Sequence, residues 1–311
     1  MTKVDLITGF LGSGKTTFIR KYAEYLMKQG LNIGIIENDF GAVNVDMMLL
    51  SDLESDNCTI EMVAGGCDKD CHARRFKTKL IALGMQGLDR VIIEPSGIYD
   101  TYEFFEVLHE EPLDRWYTIG SVITIADICQ EETISDAAKY MMASQLSCCG
   151  CVLASKLEKD CTDISTICGF KDVLNRALCA CNCNRVLDDE VLAKPWSELD
   201  DSDFARLMNC GYQTFSVSKE SFVPEDAFQT LYYMNNSISV EQLMNAANRL
   251  FRDSSFGKII RIKGFIRNEN GGWIEVNATR NEFKMTDIVD GQDVIIVIGE
   301  HLDEAKINTI F

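Results

Sequence analysis

The chain has 311 residues, with 30 Lys and Arg against 48 Asp and Glu, a formal net charge of −18. So acidic a protein repels phosphate backbones and anionic lipid, which argues against a nucleic-acid or membrane-surface binder. No apolar run approaches the ~18 residues that span a bilayer. A 46% hydrophobic, 25% charged composition is globular, and the length suits one large domain or two ordinary ones.

Short apolar runs at Val4–Ile7, Ile33–Ile36, Val91–Ile93, Val122–Ala126, Cys149–Ala154 and Thr214–Val217 alternate with longer helix-like stretches. Continuous rather than alternating apolarity predicts strands buried on both faces, hence a doubly wound, mostly parallel α/β sheet. After the first run, Gly9-Phe10-Leu11-Gly12-Ser13-Gly14-Lys15-Thr16 fits the phosphate-loop pattern G-x-x-x-x-G-K-[ST]. Its glycines let backbone N–H groups converge on phosphate oxygens, Lys15 reaches the β- and γ-phosphates, and the Thr16 hydroxyl suits Mg²⁺. Phe18, Ile19, Tyr22 and Leu26 then mark a helix that Gly30 closes.

Glu94-Pro95-Ser96-Gly97 ends the third run. Strand C-termini of such a sheet face the ligand crevice, so Glu94 is expected to hold Mg²⁺, through water, or to orient an attacking water. Helix capping is its alternative role. Asp127 ends the fourth run at a similar level. Ser155-Lys156-Leu157-Glu158 follows the fifth, where guanine-specific enzymes carry Asn-Lys-x-Asp. Glu158 can accept from the guanine ring and Lys156 can lie over the base.

The 13 cysteines are an odd number, and Met1–Asp5 lacks a signal peptide's apolar core, so a reducing cytoplasm is the expected compartment. Cys67, Cys71 and His72 form the best transition-metal candidate: i and i+4 share a helix face, and imidazole is a borderline ligand. Nearby Lys69, Arg74, Arg75 and Lys77 favour thiolate. Cys148, Cys149 and Cys151 read as packing residues at the start of a strand. Cys179, Cys181 and Cys183 alternate as on one strand face, a weaker second metal site. The isolated Cys58, Cys129, Cys161, Cys168 and Cys210 read as structural, and His109 as a surface residue or a further ligand.

From about residue 220 the pattern changes. A helix over Ser239–Arg252, strands at Ile259–Ile266, Trp273–Val276 and Val294–Ile298, a turn at Asn270-Gly271-Gly272 and a last short helix predict a smaller α+β domain. The expected division is 1–219 and 220–311.

These segments together resemble the CobW family of GTP-binding metallochaperones, close to the GTPases that insert nickel into urease and hydrogenase. The likeness rests on Gly9 to Thr17 and on Glu37-Asn38-Asp39-Phe40-Gly41 leading to Val45-Asp46. It continues through Gly65-Gly66-Cys67, Glu94-Pro95-Ser96-Gly97 and Val122-Ile123-Thr124-Ile125-Ala126-Asp127, and reaches Arg261-Ile262-Lys263-Gly264-Phe265 and Ile298-Gly299. It implies a P-loop NTPase fold and slow GTP hydrolysis coupled to handling Zn²⁺, Co²⁺ or a similar ion. It also implies Thr17 as a nucleotide contact, Asp39 as a catalytic residue, Glu37 as an oxygen ligand to the transition metal, and a client metalloprotein or cobalamin-type pathway enzyme as partner. A homodimer stays open. The family's Cys-x-Cys-Cys is here Cys67-Asp68-Lys69-Asp70-Cys71-His72, and Ser155 and Glu158 replace the usual guanine-reading residues. The competing readings are a P-loop small-molecule kinase, with Glu94 or Asp39 as base, and a cysteine-rich metal store or sensor that binds nucleotide without useful turnover.

Overall fold

The structure is a computed structural model that describes residues 1–38, 49–63, 69–129, 134–159, 162–218, 227–234, 238–268, 271–288 and 291–311. The chain divides into two compact units, Met1–Val223 and Pro224–Phe311. The expected boundary at 219–220 lies outside the described residues.

The first unit is a seven-stranded parallel sheet in the order β3-β2-β4-β1-β5-β6-β7. Its strands are β1 (Thr2–Thr8), β2 (Ile33–Asn38), β3 (Cys58–Val63), β4 (Arg90–Pro95), β5 (Tyr117–Asp127), β6 (Cys151–Ser155) and β7 (Val191–Leu192). Between them lie α1 (Lys15–Lys28), α2 (Lys69–Gly84), α3 (Thr101–Leu108), α4 (Leu113–Trp116), α5 (Asp136–Cys148) and α6 (Ile164–Ala180), with α7 (Asp201–Met208) last. Successive side chains of a strand point to opposite faces, and the apolar residues divide accordingly. Leu6, Ile36, Val91, Ile93 and Val122 pack with Phe76 of α2, Phe104 of α3, Leu146 of α5 and Leu174 of α6. Ile7, Ile35, Ile92, Ile123 and Ile125 pack with Phe18 and Tyr22 of α1 and Phe204 of α7. The sheet is therefore doubly wound, with helices covering both faces, as the continuous apolar runs require.

A buried polar cluster pins α1 to the sheet. Arg90 lies 2.5 Å from Asp5 Oδ2, and the Tyr22 hydroxyl and the Ser121 N–H each donate to Asp5 at 2.8 Å. All four residues are almost fully buried.

Four local expectations are corrected. Cys58–Val63 is a strand that the apolar runs did not mark, because an edge strand alternates polar and apolar positions (Thr59 and Glu61 between Cys58, Ile60 and Met62). Thr214–Val217 is irregular, and the seventh strand is Val191–Leu192; Val217 instead bonds the Tyr102 hydroxyl through its backbone N–H. Cys148 ends α5 and Cys149 caps it, so only Cys151 of that trio is in the strand. Cys179 lies in the last turn of α6, with Cys181 as its C-cap. Cys179 is exposed while Cys181 and Cys183 are buried in the core, so these three thiols share no strand face.

The second unit is a five-stranded antiparallel sheet, β11-β10-β9-β12-β8. It comprises β8 (Gln229–Met234), β9 (Lys258–Arg267), β10 (Trp273–Ala278), β11 (Phe283–Ile288) and β12 (Val294–Glu300), with α8 (Val240–Arg252) and α9 (Glu304–Ile307). Ser239 and Gln242 form a reciprocal capping box at the start of α8, which buries Leu243, Ala246, Ala247 and Leu250. The fold is thus a P-loop α/β unit followed by a smaller α+β unit. Among the described residues, no helix is long and apolar enough to cross a membrane.

Candidate functional site

The loop between β1 and α1 is held by contacts that leave no room for larger residues. A Cβ on Gly9, whose φ is +149°, would lie 2.3 Å from the Ile125 carbonyl oxygen of β5. Gly14 is the N-cap of α1 with a left-handed φ of 98°; no side chain caps this turn and no acidic residue lies in it. The first N–H groups of α1 therefore point into the loop with the positive end of the helix dipole behind them, which is an anion site. Lys15 is buried and its ammonium donates to the Gly9 carbonyl at 3.1 Å. It lies across the loop, where a phosphate oxygen can compete for it. Thr16 Oγ1 donates to Glu94 Oε1 at 2.9 Å. Gly12 is half-buried, Thr17 exposed and Ser13 buried. Ser13 Oγ has no hydrogen-bond partner among the described residues.

Glu94 and Glu37 are register neighbours at the C-terminal ends of β4 and β2, 5% and 1% exposed respectively. Strand alternation puts both on the face of Ile92 and Ile35, the α1 face. Beyond Glu94 the chain doubles back onto the phosphate loop: a Cβ on Gly97 would lie 2.7 Å from the Leu11 nitrogen.

The base-reading segment starts where β6 ends. Ser155 is buried, with no hydrogen-bond partner for Oγ among the described residues. Lys156 has a positive φ of 57° and its ammonium pairs with Asp127 Oδ2 at 2.9 Å, while Asp127 Oδ1 accepts from the Cys129 N–H. Asp127 thus orients Lys156. Leu157 is buried and Glu158 is exposed. One residue that the sequence reading missed joins the two segments. Trp196 donates from Nε1 to the Ala154 carbonyl at 2.8 Å, and its ring lies beside Gly14 and Phe18. A single tryptophan outside any motif carries no sequence signal for such a role.

The expected transition-metal ligands are dispersed. Cys67 and Asp39 lie outside the described residues. Cys71 is half-buried near the start of α2, and His72 is 3% exposed. His72 shares its helix stripe with Phe76, Leu80 and Leu83, the stripe that packs on the sheet face opposite α1. Burial, with the charge of Arg75 adding to it, pushes the His72 imidazole down to about 4. It is therefore neutral at neutral pH, the form that ligates metal. Glu37 and His72 belong to opposite faces of the sheet. Lys77, expected to favour a thiolate, pairs with Glu110 at 2.5 Å. His109 is exposed, its Nδ1 2.6 Å from the Phe105 carbonyl. Among the described residues, no three His, Cys, Asp or Glu side chains form a metal-holding group.

Residues 3–169, more than half of the chain, match the family described as CobW/HypB/UreG, nucleotide-binding domain. The zinc chaperone YeiR of Escherichia coli is 28% identical over 160 residues, 51% of this chain and 48% of that protein. The zinc chaperone YjiA of E. coli is 32% identical over 131 residues, 40% of each. The chain thus matches about half or less of the length of these curated relatives. The crystal structure of Zn(II)-bound YjiA GTPase aligns over 100% of this chain and 98% of that one, with 14% identity and a TM-score of 0.37. That of HypB from Helicobacter pylori in complex with nickel aligns over 66% and 82%, with 16% identity and a TM-score of 0.42.

Proposed function

The chain belongs to the CobW/HypB/UreG family, and from that premise we propose that it binds and slowly hydrolyses GTP, using the cycle to carry a transition metal, zinc first, to a client protein in the cytoplasm. The zinc preference comes from the relatives, whose names describe zinc chaperones. The observation that carries the nucleotide half is the contact of Thr16 Oγ1 with Glu94 Oε1 at 2.9 Å, beside the buried Lys15.

These groups fit a magnesium nucleotide. Thr16 and Glu94 are hard oxygen donors at the mouth of the loop, and the cradle at Gly9 is one that a Cβ would fill. Mg²⁺, when bound, neutralises phosphate charge. Lys15 and the α1 N–H groups would hold the phosphates, leaving their acceptor at Gly9. Glu94 would orient water or the Thr16-bound ion, with Asp39 as a further catalytic group. Thr17, Gly12 and Ser13 would complete the loop contacts. Ser155, Lys156 and Glu158 would read the base, with Lys156 held in place by Asp127.

The cargo ion is proposed to sit on Cys67, Cys71 and the neutral imidazole of His72. Glu37, expected as a further ligand, lies on the opposite sheet face from His72 but is the register neighbour of Glu94. Its proposed part is therefore to relay nucleotide state to the metal-binding segment rather than to ligate the ion beside His72. Anaerobic purification, metal analysis and nucleotide titration of wild type, Lys15→Ala and the Cys67→Ser, Cys71→Ser pair test both halves. Lys15→Ala is expected to abolish hydrolysis, and the thiol pair to lose zinc. Equal zinc affinity in the GTP and GDP forms overturns the coupling.

A further inference from the structure

The segment that joins Glu94 to α3 is clamped between two supports. On one side Gly97 lies against the phosphate loop at Leu11, closer than a methyl group allows. On the other side several side-chain bonds from α5 hold it, beside the Tyr102 N–H that Asp100 caps. Gln145 Nε2 donates to the Gly97 carbonyl at 3.1 Å. Ser144 Oγ and the Tyr140 hydroxyl donate to the two oxygens of Asp100 at 2.9 Å each, and Thr101 Oγ1 donates to the Ser144 carbonyl at 3.0 Å. Positions 140 and 144 share one helix face, and 145 lies about 100° round the helix from 144.

These polar residues are costly where they stand. Ser144 is 0% and Gln145 1% exposed, on a helix that also buries Met142, Ala143 and Leu146 among others. Buried amides are retained where they hold something. The Gly97 carbonyl fixes which end of the Gln145 amide faces it, since only the NH₂ can donate. Oε1 is then left buried, with no hydrogen-bond partner among the described residues. Its backbone carbonyl accepts from Thr124 Oγ1 of β5 at 2.9 Å, so the amide hangs from a fixed point on the sheet.

We infer that Gln145 is a positioning residue for γ-phosphate recognition: it sets the Gly97 peptide against the phosphate loop, while Tyr140 and Ser144 hold the far end of the same loop through Asp100. The inference rests on the GTPase reading and deepens it. On that reading the γ-phosphate is the part of the nucleotide that Gly97 and Glu94 meet, together with Lys15, whereas the rest of Gly9–Thr16 holds the α- and β-phosphates. Loosening Gly97 therefore weakens GTP selectively and leaves GDP binding alone.

The test uses the full chain, fluorescent GDP and a fluorescent non-hydrolysable GTP analogue. Gln145→Met removes the donor at similar volume, and Tyr140→Phe removes one hydroxyl donor to Asp100. Loss of one buried hydrogen bond corresponds to about tenfold. Gln145→Met is expected to bind GDP within about twofold of wild type, to bind the analogue about tenfold more weakly and to lose about tenfold in kcat. Tyr140→Phe is expected to shift in the same direction by less, and it carries the test alone if Gln145→Met fails to fold. Equal weakening of both nucleotides with a fall in Tm means a structural role only and overturns the inference, as does unchanged discrimination. A wild-type protein that binds no guanine nucleotide instead overturns the functional reading on which it rests.

Discussion

Gly97→Ala is the sharpest single test of the site geometry. A methyl carbon at Gly97 would lie 2.7 Å from the Leu11 nitrogen and 2.9 Å from its Cα, while ordinary contact begins at 3.4 Å, so the two backbones must part by about 0.7 Å. Neither neighbour is the free end of a flexible side chain, so the strain goes into the phosphate loop or into the Gln145–Gly97 bond. Overpacking of this kind costs about 1–3 kcal/mol, which lowers Tm by roughly 2–4 °C per kcal/mol in a domain of this size. Displacements near 1 Å at a reacting centre cost up to about 10²-fold in rate. The expected result is a Tm lower by a few degrees, GTP hydrolysis reduced about 10- to 100-fold, and GDP affinity reduced much less. Differential scanning fluorimetry, a phosphate-release assay and titration with fluorescent nucleotide read the three quantities. Gly169→Ala is the matched control. Gly169 lies within α6 with nothing within 4 Å of its would-be Cβ, so the same change there should stabilise by about 0.5–1 kcal/mol and leave hydrolysis untouched. If Gly97→Ala matches wild type in Tm and hydrolysis, the close packing of the Glu94–Gly97 turn on the phosphate loop is wrong.

Asp5→Leu and Arg90→Met should each destabilise by about 3–5 kcal/mol, because each leaves a buried charge without its partner, while the double variant should lose much less than the sum. Denaturant unfolding followed by Trp fluorescence measures the cycle, and additive losses would sink the assignment. Trp196→Phe should abolish most of the fluorescence change on nucleotide addition, since Trp196 lies beside Gly14 and bonds Ala154; a change that survives the substitution refutes its place at the site. Lys15→Ala should cut nucleotide affinity strongly while lowering Tm of the nucleotide-free protein by no more than a few degrees, the loss of its bond to the Gly9 carbonyl being worth about 1 kcal/mol. Loss of folding in that variant would show the lysine to be structural.

Much of the nucleotide site was legible as a string because its chemistry is local. Successive residues of one loop make up the proposed phosphate site, so Gly9 to Thr16 can be read without knowing the fold. Glu94 could be placed because strand ends of a parallel sheet converge on one edge, and the hydrogen bond to Thr16 was the geometric consequence. The long buried strands were likewise visible as unbroken apolar runs. The edge strand Cys58–Val63 was not, since its polar Thr59 and Glu61 break the apolar continuity on which the reading depends, and β7 was not because two residues are too short a run. Cys179, Cys181 and Cys183 alternate in a way that suggests a strand, yet helical packing of Phe170, Leu174 and Leu178 decided that stretch.

What the chain determined by itself is therefore the loop pattern Gly9–Thr16, the alternation of long buried strands with helices, and the acidic carboxylate at a strand end, all set by short-range spacing. Only the tertiary structure decided which distant groups meet. It brought Gln145, 48 residues away, to the Gly97 carbonyl, Asp127 to Lys156, and Trp196 to Gly14. It also put Glu37 and His72 on opposite faces of the sheet. Spacing along a strand or helix sets a residue's face, but partners across the fold are chosen by how helices pack on the sheet, which no local pattern records.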